Sequence, residues 1–315
     1  MEVITFGESM VVFSPDSTGP LRSVNGFTKS LGGSESNVAI ALARLGHEVG
    51  WFSKVGNDEF GRYIINSIRA EGVDVSRVKI DITKSTGILF KERYQNPNPN
   101  VYYYRKDSAA TSINTDDIDE EYIKSAKILH VTGITPAISK TALEAVLHAI
   151  KIAKQNGVLI SFDPNLRLKL WGMKEAKEVL LKIAKLSDII MPGVDEAELL
   201  IGLTDPEEIC NHFLSFGCSF VAVKLGKEGC YLKNKERAVF SKGFKVENLV
   251  DTVGAGDGFA AGLLSGILQK FSLEDCGLYA NGVGAMATLV KGDMEGYPIS
   301  DQLLEFIGKK QGIER

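Results

Sequence analysis

Residues 251–262 read DTVGAGDGFAAG. Gly254-Ala255-Gly256 forms a turn through which the backbone can curl freely, and Asp257 follows it at the head of an apolar run. In that run Phe259, Ala260, Leu263, Leu264, Ile267 and Leu268 recur at helical spacing, which predicts a helix with one buried face. Glycines ahead of a helix let several amide N–H groups point at one spot, and the positive end of the helix dipole adds to them, giving an anion hole. An acid beside such a hole can take the proton of a hydroxyl that attacks a phosphoryl group. A plain turn with an acidic helix cap would use the same letters, so the surrounding chain decides between the two.

Short β-rich runs alternate with helical patterns over most of the sequence. They are EVITFG (2–7), SNVAIALARLG (36–46), HEVGWFSKVG (47–56), FGRYIINSIRAEG (60–72), AKILHVTG (126–133), a helix over 140–156, VLISFD (158–163), a helix over 174–185, DIIMPG (188–193) and FVAVKLG (220–226). This alternation predicts an α/β fold: a mostly parallel sheet flanked by helices. Gly46, Gly72 and Gly157 fall where helices of this kind stop. Two stretches break the rhythm. Residues 9–30 hold SMVVFS, the turn-rich PDSTGP and LRSVNGFTKS, and residues 86–105 hold TGILFKERY, the turn NPNPN and VYYYR. Both read as strand pairs inserted between α/β units, forming a small antiparallel β lid on a single domain that spans residues 1–315. Strand alternation sends Tyr103 and Arg105 to one face of that lid and Tyr102 and Tyr104 to the other.

The 315 residues are 44% hydrophobic, enough for a large core. A formal net charge of -4 without a Lys/Arg tract argues against a nucleic-acid partner. Cys210, Cys218, Cys230 and Cys276 show no CxxC spacing, so neither a disulfide framework nor a zinc site is indicated. MEVITFGES leads straight into a strand and no apolar run has the length of a membrane span, which points to a cytoplasmic protein with no membrane partner.

GGSESNVAIALARLG at 32–46 and DTVGAGDGF at 251–259 together resemble the two signature regions of the ribokinase-like (PfkB) carbohydrate kinases. The likeness runs over nearly the whole chain and takes in VGNDEFG (55–61), VKLGKEG (223–229) and YANGVGAMATLVKG (279–292). It implies a ribokinase-like fold and transfer of phosphate from ATP, with Mg2+, to a sugar hydroxyl. Asp257 is then the base, and Gly254, Ala255 and Gly256 stabilise the transferred group. Within the family, GGSESN, YYYRKDSAAT (102–111) and DPNLRLKLW (163–171) resemble the branch acting on 2-keto-3-deoxygluconate. This implies contacts to the sugar acid from Gly33, Ser34, Asn37, Tyr103, Arg105, Ile134 and Arg167, with Gly32, Thr132 and Gly133 close by. Guanidinium groups suit such a substrate because they give a carboxylate two parallel hydrogen bonds, and Arg167 follows a strand at the edge where open α/β sheets bind ligands. His130, inside ILHVTGI, reads as a core residue.

On the nucleotide side the resemblance implies ATP contacts from Lys224, Leu225, Gly226, Gly229, Gly254, Gly256 and Asn281, with Gly282 and Ala285. The family's Asn-x-x-Glu motif appears here as Gly193-Val194-Asp195-Glu196, so Glu196 alone carries over, as an organiser of magnesium through water. Leu89 stands where similar keto-deoxygluconate kinases have Tyr. Fructokinase, 5-keto-2-deoxygluconate kinase and nucleoside kinase activities are alternatives within the class. Outside it, a non-catalytic regulator would be expected to lack Asp257, and a dinucleotide-binding dehydrogenase needs GxGxxG after the first strand, where ITFGESM offers one Gly. The lid's Tyr102 and Tyr104 face has no evident partner within the chain and predicts a homodimer, or a higher homo-oligomer, joined through 9–30 and 86–105.

Overall fold

The computed structural model describes residues 1–92 and 100–310. The strands in chain order are β1 (Val3–Phe6), β2 (Met10–Pro15), β3 (Phe27–Gly32), β4 (Val49–Phe52), β5 (Lys54–Gly56), β6 (Lys79–Asp81), β7 (Ile88–Lys91), β8 (Val101–Tyr104), β9 (Ile128–Thr132), β10 (Leu159–Asp163), β11 (Ile189–Ile190), β12 (Phe220–Lys224), β13 (Gly229–Asn234) and β14 (Ala238–Lys242). The helices are α1 (Ser34–Arg44), α2 (Glu59–Ala70), α3 (Glu120–Lys124), α4 (Thr135–Ile138), α5 (Lys140–Gln155), α6 (Met173–Ala184), α7 (Val194–Ile201), α8 (Pro206–Leu214), α9 (Ala255–Leu268), α10 (Leu273–Ala287) and α11 (Ser300–Phe306).

The main sheet runs β14-β13-β12-β11-β10-β9-β1-β4, parallel from β12 to β4 and closed at the other edge by the antiparallel pair β13 and β14. Strands such as Ile128–Thr132 are buried along their whole length because helices cover both faces of the sheet. Ile4, Phe6, Leu129, Ile160 and Phe162 pack towards α5, α6 and α8, whereas Val3, Trp51, Ile128 and Met191 pack towards α1, α2, α9 and α10. This is the mostly parallel α/β sheet that the alternation predicts. The β13–β14 edge went unread in the sequence, because its alternating charged and apolar letters follow the last α/β unit without a helix between. All four cysteines are free and buried.

The two inserted stretches form a second sheet, ordered β3-β2-β7-β8. Each stretch contributes an antiparallel hairpin, and the hairpins join through a parallel pairing in which Val11, Val12 and Phe13 face Ile88, Leu89 and Phe90. Of the turn expected at 96–100 only Asn100 lies within the described residues. One face of this sheet buries Met10, Val12 and Leu89. On the other, Phe13 stacks on Phe90 at 5.0 Å between ring centroids, Phe27 meets Phe90 edge-on at 5.4 Å, and Tyr104 meets Phe90 at 5.8 Å. Tyr104 therefore has an aromatic neighbour within the chain, although it stays largely exposed, as does Tyr102.

The helix after the glycine turn departs from its expected pattern. Instead of one buried face, every residue from Asp257 to Gly266 in α9 is buried. Gly258, Gly262 and Gly266 occupy the side away from the large apolar residues, and they let α10 approach until a Cβ on Gly262 would lie 2.5 Å from Tyr279 O. A helix enclosed by other helices holds its N-terminus rigidly at the edge of the sheet. Gly262→Val should cost about 1–3 kcal/mol through overpacking against the α10 backbone. Urea denaturation would register this as a lower midpoint with an unchanged slope, and an unchanged midpoint would refute the close-packing account.

Candidate active site

The carboxyl ends of β9, β10 and β12 deliver Thr132, Asp163 and Lys224 to one edge of the main sheet, where the N-termini of α1, α7 and α9 also arrive. Gly254 caps α9 in the left-handed conformation (φ 80°), a region that disfavours side chains, and a Cβ there would also lie 2.0 Å from Asp293 O. Behind it, the Ala255 amide bonds to Thr252 O and that of Gly258 to Gly254 O, while no described hydrogen bond uses the amides of Gly256 or Asp257. A Cβ on Gly256 would meet open space. Two amides without protein acceptors at a helix N-terminus beside open space form an anion site.

Asp257 is buried in the first turn of α9. Ser34 Oγ donates to its Oδ1 at 2.6 Å and Asn37 Nδ2 to its Oδ2 at 2.8 Å. Burial pushes its pKa up to about 7, and the Asp163 charge adds to this, against the opposing effects of the Ser34 and Asn37 hydrogen bonds and the Arg167 charge. A carboxyl group poised there can take a proton near neutral pH. Ser34 and Asn37 thus act on the acid, not as caps, since α1 has no side-chain cap. Asn37 Oδ1 is buried and has no partner among the described residues, so it can accept a further hydrogen bond.

Lys224 Nζ lies 2.8 Å from both oxygens of Asp163 and 3.9 Å from Glu196 Oε2. Its amine is thus engaged by the buried Asp163, with the partly exposed Glu196 near. Glu196 accepts the amide of Leu166 on Oε1 (2.8 Å) and that of Gly193 on Oε2 (2.7 Å). It therefore fixes the segment 163–167 against α7. That segment turns at Asn165, in the left-handed region at φ 36°, whose Nδ2 donates to Ser34 Oγ at 2.9 Å. Arg167, just beyond, is exposed and makes no ion pair among the described residues.

Arg105 is differently placed. Its guanidinium pairs with the buried Glu8 carboxylate, whose other oxygen accepts from Ser108 Oγ at 2.5 Å. Tyr103, half-exposed, has the Arg105 guanidinium 5.7 Å from its ring centroid. Ile134 caps α4, its amide held by Thr132 Oγ1 at 3.1 Å. Gly33 has its backbone against Glu8 and Ser9, and Gly32 lies against Asp293. Glu35, buried on α1, accepts Thr132 and Thr135 hydroxyls at 2.6 Å on Oε1 and has no partner among the described residues on Oε2, and burial raises its pKa. His130 is a core residue, hydrogen-bonded to Ser161 at 3.1 Å and held down to about 3 by burial.

The expected nucleotide residues divide. Gly226 (φ 58°) is open on its Cβ side, whereas a Cβ on Gly229 would lie 2.1 Å from Ser241 O, so Gly229 is needed by the β13–β14 edge. Asn281 donates to Ser241 O and Lys242 O and so ties α10 to β14. Exposed Leu249, Val250 and Val253 form an apolar lip before α9. The Val250 amide donates to Thr288 O at 2.9 Å, bringing the exposed Leu289 and Val290 alongside. The sequence reading did not assign Glu8, Glu35, Asp163 or Asn165. Asp163 and Asn165 lay inside a segment it had singled out, and Glu35 could have been noticed as an acid on an apolar helix.

The model of the pfkB family carbohydrate kinases matches residues 1–300. A 2-dehydro-3-deoxygluconokinase of Bacillus subtilis (strain 168) is 43% identical over 317 residues, covering 100% of this chain and 98% of the relative. Among solved structures, a 2-dehydro-3-deoxygluconokinase of Thermotoga maritima superposes with a TM-score of 0.90 at 26% identity, covering 98% of both chains. An E. coli protein provisionally called ribokinase II, in complex with ATP and Mg2+, gives a TM-score of 0.90 at 29% identity, covering 98% of this chain and 99% of its own.

Burial of Asp257 couples its protonation to stability. Its pKa rises from 3.8 to about 7 on folding, so the folded state binds the proton more tightly. The resulting stabilisation is present below pH 3.8 and is lost as pH rises through 7. An Asp257→Asn variant has no such loss, so its melting temperature relative to that of the unaltered protein should climb between pH 5 and pH 8. Calorimetry giving the same difference at both pH values would contradict the raised pKa.

Proposed function

The chain belongs to the pfkB family of carbohydrate kinases and is a sugar kinase, and on that premise we propose that it phosphorylates the terminal hydroxyl of 2-dehydro-3-deoxygluconate with ATP and Mg2+. The observation that carries this reading is the buried Asp257 carboxylate, held by Ser34 and Asn37 next to amides that have no acceptor among the described residues. ATP with Mg2+ would supply the phosphoryl group and a cation to spread its charge. The amides of Gly256 and Asp257, backed by the α9 dipole, fit that phosphate, and the apolar lip at Leu249, Val250 and Val253 fits the flat face of a base. Among the described residues no group of three His, Cys, Asp or Glu could hold a metal alone. Mg2+ suits such a place, because it keeps several waters and binds through phosphates. Glu196, its oxygens already occupied by backbone, would act on it through water.

Each Asp257 oxygen accepts one hydrogen bond and keeps capacity for another, so the carboxylate can receive the proton as the sugar oxygen attacks phosphorus and ADP leaves. Asn37 Oδ1 orients a hydroxyl of the acceptor, and Gly33, Tyr103 and Ile134 line its chain. Lys224, balanced by Asp163 and Glu196, lends a positive charge without moving. Because Glu8 already answers Arg105, the guanidinium that acts on Asp257 and makes no ion pair among the described residues, that of Arg167, is the one offered to a substrate carboxylate. Arg105 keeps further N–H donors for hydroxyls. No described helix is long and apolar enough to cross a membrane, which accords with work in the cytoplasm.

A coupled ADP-release assay across 2-dehydro-3-deoxygluconate, its galacto epimer, 5-dehydro-2-deoxygluconate, fructose, ribose and adenosine tests the acceptor. The first should give the highest kcat/KM, and a preference for a neutral sugar would overturn the reading. Arg167→Ala should cost the sugar acid about 1.5 to 3 kcal/mol of binding and leave fructose nearly unaffected. Equal losses on both would assign the arginine to folding or to ATP.

Tyr102 and Tyr104 leave an aromatic face of the small sheet partly uncovered, and this supports a homodimer formed lid to lid. Sedimentation at micromolar concentration should give a dimer that Tyr104→Lys weakens. A fully active monomer would defeat the proposal.

A further inference from the structure

Asp293 lies on the irregular segment between α10 and α11, which is fastened on three sides. Arg44 Nη1 of α1 donates to the carbonyl oxygens of Met294 (2.8 Å) and Tyr297 (2.9 Å). Tyr297 Oη donates to Gly254 O at 2.8 Å. Lys91 Nζ reaches from β7 of the small sheet to Asp293 Oδ1 at 2.8 Å, the two side chains being 15% and 11% exposed.

Asp293 thus touches both the lid and the turn that heads α9. Its carbonyl oxygen abuts Gly254, and its Oδ2 would lie 2.7 Å from a Cβ on Gly32, where Val12 Cγ2 of the small sheet is equally close. The charge of Lys91 lies in the combined field of Asp293, Asp251 and Glu295, and that of Asp293 in the attractive fields of Lys91 and Arg167 and the opposing field of Asp251. An ion pair this enclosed is expensive to break once formed. It also joins the two bodies that must move together if the site is to close.

We propose that Lys91 is a positioning residue for phosphoryl transfer: through Asp293 it locks the small sheet onto the Gly254–Asp257 turn, so that the turn takes its working shape only when the lid is seated. The proposal rests on the reading of that turn as the phosphate site. Two arrangements are linked, lid seated with turn formed and lid raised with turn relaxed, and the ion pair belongs to the first. Coupling of this kind keeps the phosphoryl group from water until an acceptor has closed the site.

The test measures ADP and sugar phosphate together in the unaltered protein, Lys91→Met, Lys91→Arg and the double variant Lys91→Met/Asp293→Asn. Lys91→Met should lower sugar phosphorylation about tenfold and raise the ADP formed per sugar phosphate several-fold. Lys91→Arg should restore that ratio. The double variant, which removes the unpaired buried charge, should recover the melting temperature without recovering the ratio. If Lys91→Met keeps the unaltered ratio, or if the ratio returns with stability in the double variant, the pair is a fold staple and the proposal fails. Should the unaltered protein phosphorylate no sugar, the substrate reading fails instead, and ATP hydrolysis without sugar in Lys91→Met, raised or unchanged, still decides on the lock.

Discussion

The Asp257 carboxylate sits out of water with one hydrogen bond on each oxygen, from Ser34 and from Asn37. Burying a carboxyl group is costly unless it is hydrogen-bonded or neutralised, and that cost explains much of the architecture around it. The acid can stay near its functional range only if the first turn of α1 is presented to the first turn of α9. That requires α9 to be gripped on all sides, and the glycines facing α10 provide the grip. Asn165 extends the constraint, because its bond to Ser34 fixes the segment bearing Arg167 relative to the same carboxylate.

Around this centre the charges are arranged by balance. Lys224 is neutralised by Asp163, with Glu196 near, and Arg105 by Glu8. Both pairs lie largely out of solvent, where an unmatched charge would be prohibitive. Arg167, exposed and unpaired among the described residues, is the exception. A site so balanced favours a ligand that brings its own negative charge to that one place.

Local patterns in the sequence were enough to read the parallel sheet, the glycine turn, the two hairpins and the position of Asp257 in the first turn of its helix, because each follows from periodicity, turn chemistry or a motif of adjacent letters; the bonds from Ser34 and Asn37 to Asp257 were not read. What escaped the reading depends on residues far apart in the chain. No local pattern joins Lys224 to Asp163, Arg105 to Glu8 or Lys91 to Asp293. Asn281 and Gly229, which the resemblance places on the nucleotide, also sit at the join between α10, β13 and β14, and no adjacent letters announced that packing role. The single apolar stripe expected for α9 failed because small residues can also face a core.

The parallel pairing of β2 with β7 bears on how the chain reaches this state. Val11 must find Ile88, and between them lie α1, β4 and α2, all of which belong to the larger sheet's own layers. A long intervening loop makes such a contact entropically unfavourable until its ends have been drawn together by other structure. The small sheet therefore has no independent nucleus. It assembles on a scaffold that already exists, and it is the unit whose backbone amides should open first when the native protein is followed by hydrogen exchange.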